Sequence, residues 1–410
     1  MKHVGIIGYG KMGAAIFKLF AARPYSITVV TETRQEALDA ADGFFKKLDR
    51  SFKRKSISEQ TYCFQKSAIR FTHCIEDLVS ADLVIEAAFE DFQVKAAIFS
   101  RLESCVNSHA LIVTNTSSLS IRELSLGFRY PDRFCGFHFF NPIPLINLVE
   151  IIRTDRSRLE LIARLRSISE EIGKFSIVVK DAPGSVINAI LAYYYIEAIY
   201  LLEDGVMPPS EIDRISKQFF YVGPCESLDI IGIDFFVSAS KNAIQAGTIY
   251  PIRQYLQDRG NEPDRPVDAG AGIRLPFLLE KLMSAGRWGR KVSRGIYCHE
   301  EGSVDEAMSF YQEPGRSSVA ASTSARESLV ARRLLYAVFN GCLFSLVHQM
   351  ASREDIDCGM KEILHMKKGP FVMMQDIGIP DLKRNFDFLH QHAGKRFAWS
   401  ASIRLESILF

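Results

Sequence analysis

The stretch Val4-Gly5-Ile6-Ile7-Gly8-Tyr9-Gly10-Lys11-Met12-Gly13 decides the fold. Val4–Ile7 is a short apolar run of strand length, and the pattern Gly8-x-Gly10-x-x-Gly13 follows it and opens a helix. The first glycine makes a tight turn, the second lets a pyrophosphate approach the backbone at the helix N-terminus, and the third lets helix pack on strand. Glu32 sits 19 residues past Gly13, at the end of the next strand. A carboxylate there accepts both ribose hydroxyls of an adenosine and repels a 2′-phosphate. Gly8, Gly10, Gly13 and Glu32 therefore predict a Rossmann-type domain that binds NAD; Arg34, two residues on, is the feature that speaks for NADP.

Outward from this loop, strands are expected near Val4–Ile7, Ile27–Thr31, Ile69–Thr72, Leu83–Glu86, Leu111–Thr114, Phe134–Phe137, Leu148–Ile152 and Ile177–Val179, with helical patterns between most of them. Such alternation argues for βαβ units and a largely parallel sheet covered on both faces. Past Pro183 the strand signals stop, and helices are expected at 185–203, 210–218, 226–245, 275–285, 327–350, 354–364 and 370–392. Asp258–Gly272 and Pro314–Arg326 read as loops. The fold class is thus an α/β Rossmann-type NAD-binding domain followed by all-α C-terminal domains. A weak repeat runs through the helical half: Ser210-Glu211-Ile212-Asp213 resembles Glu354-Asp355-Ile356-Asp357, and Ile231-Gly232-Ile233-Asp234 resembles Ile377-Gly378-Ile379-Pro380. Either one helical unit is duplicated or two helix-turn-helix patterns coincide.

The chain has 410 residues, enough for two or three domains, and a net charge of +2. That balance excludes a protein whose main business is wrapping nucleic acid. The eight cysteines show no Cys-x-x-Cys pair and no zinc-finger spacing, so reduced, mostly buried thiols and no metal are expected. The His390-x-His392 pair does not share a helix face and is a poor ligand pair. Val186–Leu202 is apolar but carries Asn188 and Glu197, which predicts a core helix and no membrane span. The run at Val4–Ile7 is too short for a secretory signal, so the expected compartment is the cytoplasm.

The second constellation lies over 114–150: Thr114-Asn115-Thr116-Ser117-Ser118-Leu119, then His138-Phe139-Phe140-Asn141-Pro142, then Leu148-Val149-Glu150. Each falls at the end of an expected strand, where open parallel sheets bind ligands. Oxidising a secondary alcohol needs a base for the hydroxyl proton while hydride leaves, and a histidine oriented by a carboxylate supplies it. His138 and Glu150 form that pair if their strands are neighbours; otherwise they are a core histidine satisfied by a carbonyl and a surface glutamate. No G-x-S-x-G elbow supports a hydrolase built on Ser117.

Six ordered motifs over about 300 residues resemble the L-3-hydroxyacyl-CoA dehydrogenase family. They are Thr114–Leu119, Gly136–Pro142, Leu148–Ile151, Lys180-Asp181-Ala182-Pro183-Gly184, Val222-Gly223-Pro224-x-Glu226-x-Leu228-Asp229-x-x-Gly232-Ile233-Asp234, and Gly289-Arg290-Lys291-x-x-x-Gly295-Ile296-Tyr297. The resemblance implies NAD-dependent oxidation of the 3-hydroxyl of an acyl-CoA, as in β-oxidation, or its reversal. It implies His138 as base, Glu150 as its partner, Ser117 as donor to the substrate oxygen and Asn188 as a further hydrogen-bonder. Asn115 and Asn141 are implied to organise cofactor and substrate, and Glu90 and Lys95 fall where the family contacts the nicotinamide half. A basic cluster at Lys46, Lys47, Arg50, Lys53, Arg54 and Lys55 falls where the family holds the CoA phosphates, with Lys55 favoured; the alternative is a solvated helix face.

The sequence departs from the family pattern around Asn188, where Ser185 follows Gly184 in place of an aromatic and Ala189 follows Asn188 in place of an arginine. That bears on acyl-chain preference. The resemblance implies domains at 1–183, 184–300 and 326–410, the last being a second helical copy as in fused β-oxidation enzymes. In the repeat's register Arg332 falls opposite Asn188, so the second copy is expected to be structural. Short members dimerise through the helical domain, so a monomer with an internal pseudo-dimer, or another assembly, is expected. Two other readings stand beside this one: a dehydrogenase of a carrier-protein thioester or small hydroxy acid, and a non-catalytic NAD-binding structural protein.

Overall fold

The computed structural model describes residues 3–181, 185–245, 275–300, 308–312 and 321–397. The expected loop at 258–272, part of that at 314–326, and the Ala182-Pro183-Gly184 turn lie outside the described residues. The chain divides into two compact units, Met1–Ser185 and Val186–Phe410.

The first unit is built on one eight-stranded sheet, with β1 His3–Ile7, β2 Ser26–Val30, β3 Ile69–Thr72, β4 Leu83–Glu86, β5 Leu111–Thr114, β6 Phe134–Phe139, β7 Leu148–Arg153 and β8 Phe175–Lys180. The order is β3-β2-β1-β4-β5-β6-β7-β8. Every expected strand is present. Strands β1 to β6 run parallel, and the near-continuous apolar sequences of all but the edge strand β3, whose Arg70 is exposed, are buried as sheets covered on both faces require. The helix Lys11–Ala21 buries Gly13, Ile16, Phe17, Phe20 and Ala21, a stripe at helical spacing, against this sheet.

The sheet departs from the parallel pattern at β7, which runs antiparallel to β6 and parallel to β8. The reason lies in the connection. Only residues 140–147 join β6 to β7, and a parallel return needs a crossover of a dozen or more residues. Strand β6 also runs two residues past its expected end, so His138 lies inside it.

The second unit is helical among its described residues, apart from isolated bridges at Gly289–Arg294 and Arg294–Cys298. Its centre is the helix Val186–Glu203, buried at every position except Asn188. It packs against Thr323–Val347. Both are long and apolar enough to cross a membrane, but their apolar surface is largely consumed within the unit. The second helix begins at Thr323, inside the segment read as loop, because Ser322 caps it by accepting the Ala325 N–H.

Two segments expected as single helices are each two. Pro224–Ile231 stops at Gly232, with φ 102°, and Pro370–Ile377 stops at Gly378, with φ 80°. A left-handed residue interrupts the helical ladder, and a second helix starts after each. The same local arrangement precedes both. Asp213 accepts the N–H groups of Cys225 and Glu226, each at 2.9 Å, and Asp357 accepts those of Phe371, at 2.7 Å, and Val372. Burial pushes both carboxyls above the usual range, although these N–H donors oppose it.

Two distant family motifs meet at Asp229. Its buried carboxylate accepts the N–H of Ile296 at 2.7 Å, that of Tyr297 at 2.9 Å, and His299 Nε2 at 2.8 Å. Of the eight cysteines, three are buried, three half-buried and two exposed, so the expectation of mostly buried thiols is met only in part.

Candidate active site

The glycine loop adopts the geometry its spacing implied. Gly8 has φ +92°, a conformation that costs a side chain dearly, and a Cβ there would lie 2.6 Å from the Ala87 carbonyl oxygen. A Cβ on Gly13 would sit 2.0 Å from the Gly8 carbonyl oxygen, so no larger residue lets the helix approach the strand. Gly10 is different. Nothing lies within 4 Å of a Cβ placed on it, and no side chain caps the helix that it begins. The first N–H groups of Lys11–Ala21 are thus left to a ligand, and a helix N-terminus favours an anion. Glu32 is exposed just beyond β2. Its neighbour Thr33 starts the next helix through a reciprocal capping box with Glu36. These residues fit a dinucleotide pyrophosphate and ribose.

The antiparallel pairing of β6 with β7 places His138 directly opposite Glu150. Opposite residues of such a pair share a face and lie within reach of each other. His138 Nδ1 is 3.0 Å from Glu150 Oε2, the glutamate fully buried and the histidine nearly so. A carboxylate can only accept, so Nδ1 carries a hydrogen, and in the neutral imidazole the lone pair lies on Nε2. The Phe140 ring meets the imidazole edge to face at 4.6 Å and further restricts it. The reading of a surface glutamate is excluded: Glu150 has no exposed surface.

Beside this pair, the loop after β5 is tied down by a carboxylate. Glu90 Oε1 accepts the N–H of Ser117 at 3.1 Å, the N–H of Ser118 at 3.2 Å, and the hydroxyls of Ser118 and Thr116. Burial opposes ionisation of Glu90, but Lys95 and these hydroxyls outweigh it and hold its carboxyl below the usual range. Asn115 Oδ1 accepts the Phe139 N–H at 2.9 Å, linking the loop to the strand that carries His138. Lys95 is buried, on the first turn of the helix Phe92–Cys105, with Nζ 2.7 Å from Glu86 and 3.3 Å from Glu90. Glu86 escaped the sequence reading: it closes an apolar strand, and only its charge at a fully buried strand end could have flagged it.

The other expected residues are placed as follows. Asn141 is exposed just after β6. Asn188 is half-buried on the first turn of the helical unit. Lys55 is exposed, two residues past the helix Arg34–Lys53, with φ 53°. Lys46 pairs with Asp42 at 2.7 Å on the solvent side of that helix, which is the solvated-face reading for that residue. His392 Nδ1 lies 2.8 Å from the Phe388 carbonyl, one turn back on its own helix. No group of metal-ligating side chains is found among the described residues.

A Rossmann unit with a dinucleotide loop and a carboxylate-oriented histidine defines an NAD-dependent dehydrogenase. Residues 3–182 match the NAD binding domain of 3-hydroxyacyl-CoA dehydrogenase, and residues 184–299 match its C-terminal domain. Hydroxyacyl-coenzyme A dehydrogenase, mitochondrial, of Sus scrofa is 31% identical over 309 residues, covering 72% of this chain and 91% of the relative. The peroxisomal bifunctional enzyme of Cavia porcellus is 29% identical over 407 residues, 95% of this chain and 53% of that protein. The crystal structure of 3-hydroxybutyryl-CoA dehydrogenase from Escherichia coli K12 has the same fold, with a TM-score of 0.81 and 22% identity over 100% of this chain and 98% of that one. The chain belongs to the 3-hydroxyacyl-CoA dehydrogenase family. It is an NAD-dependent oxidoreductase of 3-hydroxyacyl-CoA in fatty-acid metabolism.

Proposed function

We propose that His138 takes the proton of the substrate 3-hydroxyl at Nε2 while Glu150 holds the ring and balances the imidazolium that forms. NAD, held at Gly8, Gly10, Gly13 and Glu32, would supply the hydride acceptor. Ser117 donates its hydroxyl to the same substrate oxygen, Asn188 is the further hydrogen-bonder that the resemblance implies, and Asn115 and Asn141 organise cofactor and substrate. In reduction of a 3-ketoacyl-CoA, His138 returns the proton. The observation that carries this reading is the 3.0 Å contact of His138 Nδ1 with a fully buried Glu150. The test is turnover of acetoacetyl-CoA with NADH by the wild type and by Ser117→Ala, which is expected to lose kcat.

The CoA phosphates are proposed to meet the basic cluster, with Lys55 favoured and Lys53 beside it. Reversing both to Glu is expected to raise KM for a CoA thioester several-fold, with little change for a truncated pantetheine thioester. Equal effects on the two would remove the phosphate assignment.

Domains at 1–183, 184–300 and 326–410 are proposed, the last as a second, structural copy of the helical unit. The matched Asp213 and Asp357 turns and the breaks at Gly232 and Gly378 support the duplication. Tyr193, Tyr194, Ile196 and Tyr200 are buried within the chain itself. A monomer with an internal pseudo-dimer, or an assembly through another surface, is proposed; a dimer in light scattering buried through residues 185–250 would contradict it. The cytoplasm is the proposed compartment, tested by fractionation, although named relatives include mitochondrial and peroxisomal enzymes.

A further inference from the structure

Beneath the loop that carries Ser117 runs a line of charges that no step above uses directly. Glu86, the last residue of β4, has no exposed surface. Its Oε1 accepts Lys95 Nζ at 2.7 Å and the Ala88 N–H at 2.7 Å, and its Oε2 accepts the Thr114 hydroxyl at 2.6 Å. Lys95 is 1% exposed and reaches from Glu86 to Glu90 Oε2. Glu90 in turn holds the backbone of Ser117 and Ser118 through its other oxygen.

A buried ammonium is tolerable only when paired, and the position of one partner then sets the position of the other. Lys95 has two carboxylates, one on each side. Glu86 meets it at 2.7 Å at the strand end and Glu90 at the longer distance of 3.3 Å. Glu90 thus gives Oε2 to Lys95 and Oε1 to the loop.

We propose that Glu86 is a positioning residue for the hydride-transfer reaction, acting through Lys95 and Glu90 to set the Ser117 hydroxyl, and touching neither substrate nor cofactor. The inference rests on the reading of Ser117 as the donor to the substrate oxygen. With Glu86→Gln the anchor becomes neutral, Lys95 moves toward Glu90, and Glu90 loosens its hold on the Ser117 and Ser118 N–H groups. Displacement of a reacting group by a fraction of an ångström is expected to cost about tenfold in kcat, with KM for acetoacetyl-CoA changed less than about twofold. KM for NADH is not the discriminating readout, because Lys95 and Glu90 also fall where the family contacts the nicotinamide half.

The deciding experiment is a double-mutant cycle on kcat for acetoacetyl-CoA reduction, with Glu86→Gln, Ser117→Ala and both together. The relay predicts that the double variant is no slower than Ser117→Ala alone. Losses that multiply would show Glu86 acting only on the fold and would overturn the relay. If Ser117→Ala leaves kcat unchanged, the role of Ser117 itself is wrong and the relay has no target. Should Glu86→Gln fail to fold, Glu90→Gln, at the half-exposed end of the line, takes its place in the cycle with the same expected outcome, and multiplying losses there overturn the proposal equally.

Discussion

His138→Gln is expected to lower kcat for acetoacetyl-CoA reduction by about 10² to 10⁴, the span that general acid–base catalysis contributes. Glutamine is polar and close in size, so NADH binding at the glycine loop should persist. What is lost is a nitrogen that can both hold and release a proton. Glu150→Gln makes a second, separable prediction. The imidazole remains, but a neutral amide in place of the buried carboxylate no longer fixes the Nδ1 hydrogen or stabilises the imidazolium, so kcat should fall with KM for NADH little changed. Steady-state kinetics of both variants, with NADH titrated by fluorescence, checks the pair. A His138→Gln enzyme within a few-fold of wild type would remove His138 as base.

Glu197→Gln is expected to destabilise the helical unit by about 3–5 kcal/mol, the usual penalty for leaving one side of a buried ion pair uncompensated. Glu197 sits in the middle of the core helix with no exposed surface. Both its oxygens are used: Arg333 Nε donates to Oε1, while Arg396 donates to Oε2 at 2.8 Å and to Oε1 at 3.0 Å. Arg333 also reaches Asp204 at 2.8 Å, but that acid is partly exposed and cannot replace the central charge. The two arginines are themselves 2% and 6% exposed. Replacing all three groups by methionine should cost far less than the single change, because desolvation of the whole set is then avoided. Urea unfolding followed by probes in each unit checks this, the transition of residues 186–410 moving and that of the NAD-binding unit staying in place. An unchanged midpoint for Glu197→Gln would mean that the cluster contributes nothing.

The glycine loop could be read from sequence because its constraint is local: the turn at Gly8 and the contact of Gly13 both lie within one strand–helix junction. The His138–Glu150 pair was conditional on strand adjacency. That adjacency comes from the hairpin of β6 and β7, which the eight-residue connection implied but the apolar pattern of each strand did not. The breaks at Gly232 and Gly378 were missed because the apolar periodicity resumes at once after each glycine, and only the positive φ separates the helices. Glu197 illustrates the opposite limit. Its charge argued against a membrane span, but its partners Arg333 and Arg396 stand 136 and 199 residues away, and no local pattern connects them. Glu86 is similar in kind, its meaning depending on a lysine one helix further on.

The most direct test of the central claim is the loss of NADH absorbance when the purified chain is mixed with acetoacetyl-CoA, with free acetoacetate and acetoacetyl-pantetheine as parallel substrates. An NAD-dependent 3-hydroxyacyl-CoA dehydrogenase turns over the CoA thioester most efficiently. Tight NADH binding with no turnover of acetoacetyl-CoA or longer 3-ketoacyl-CoAs would contradict it.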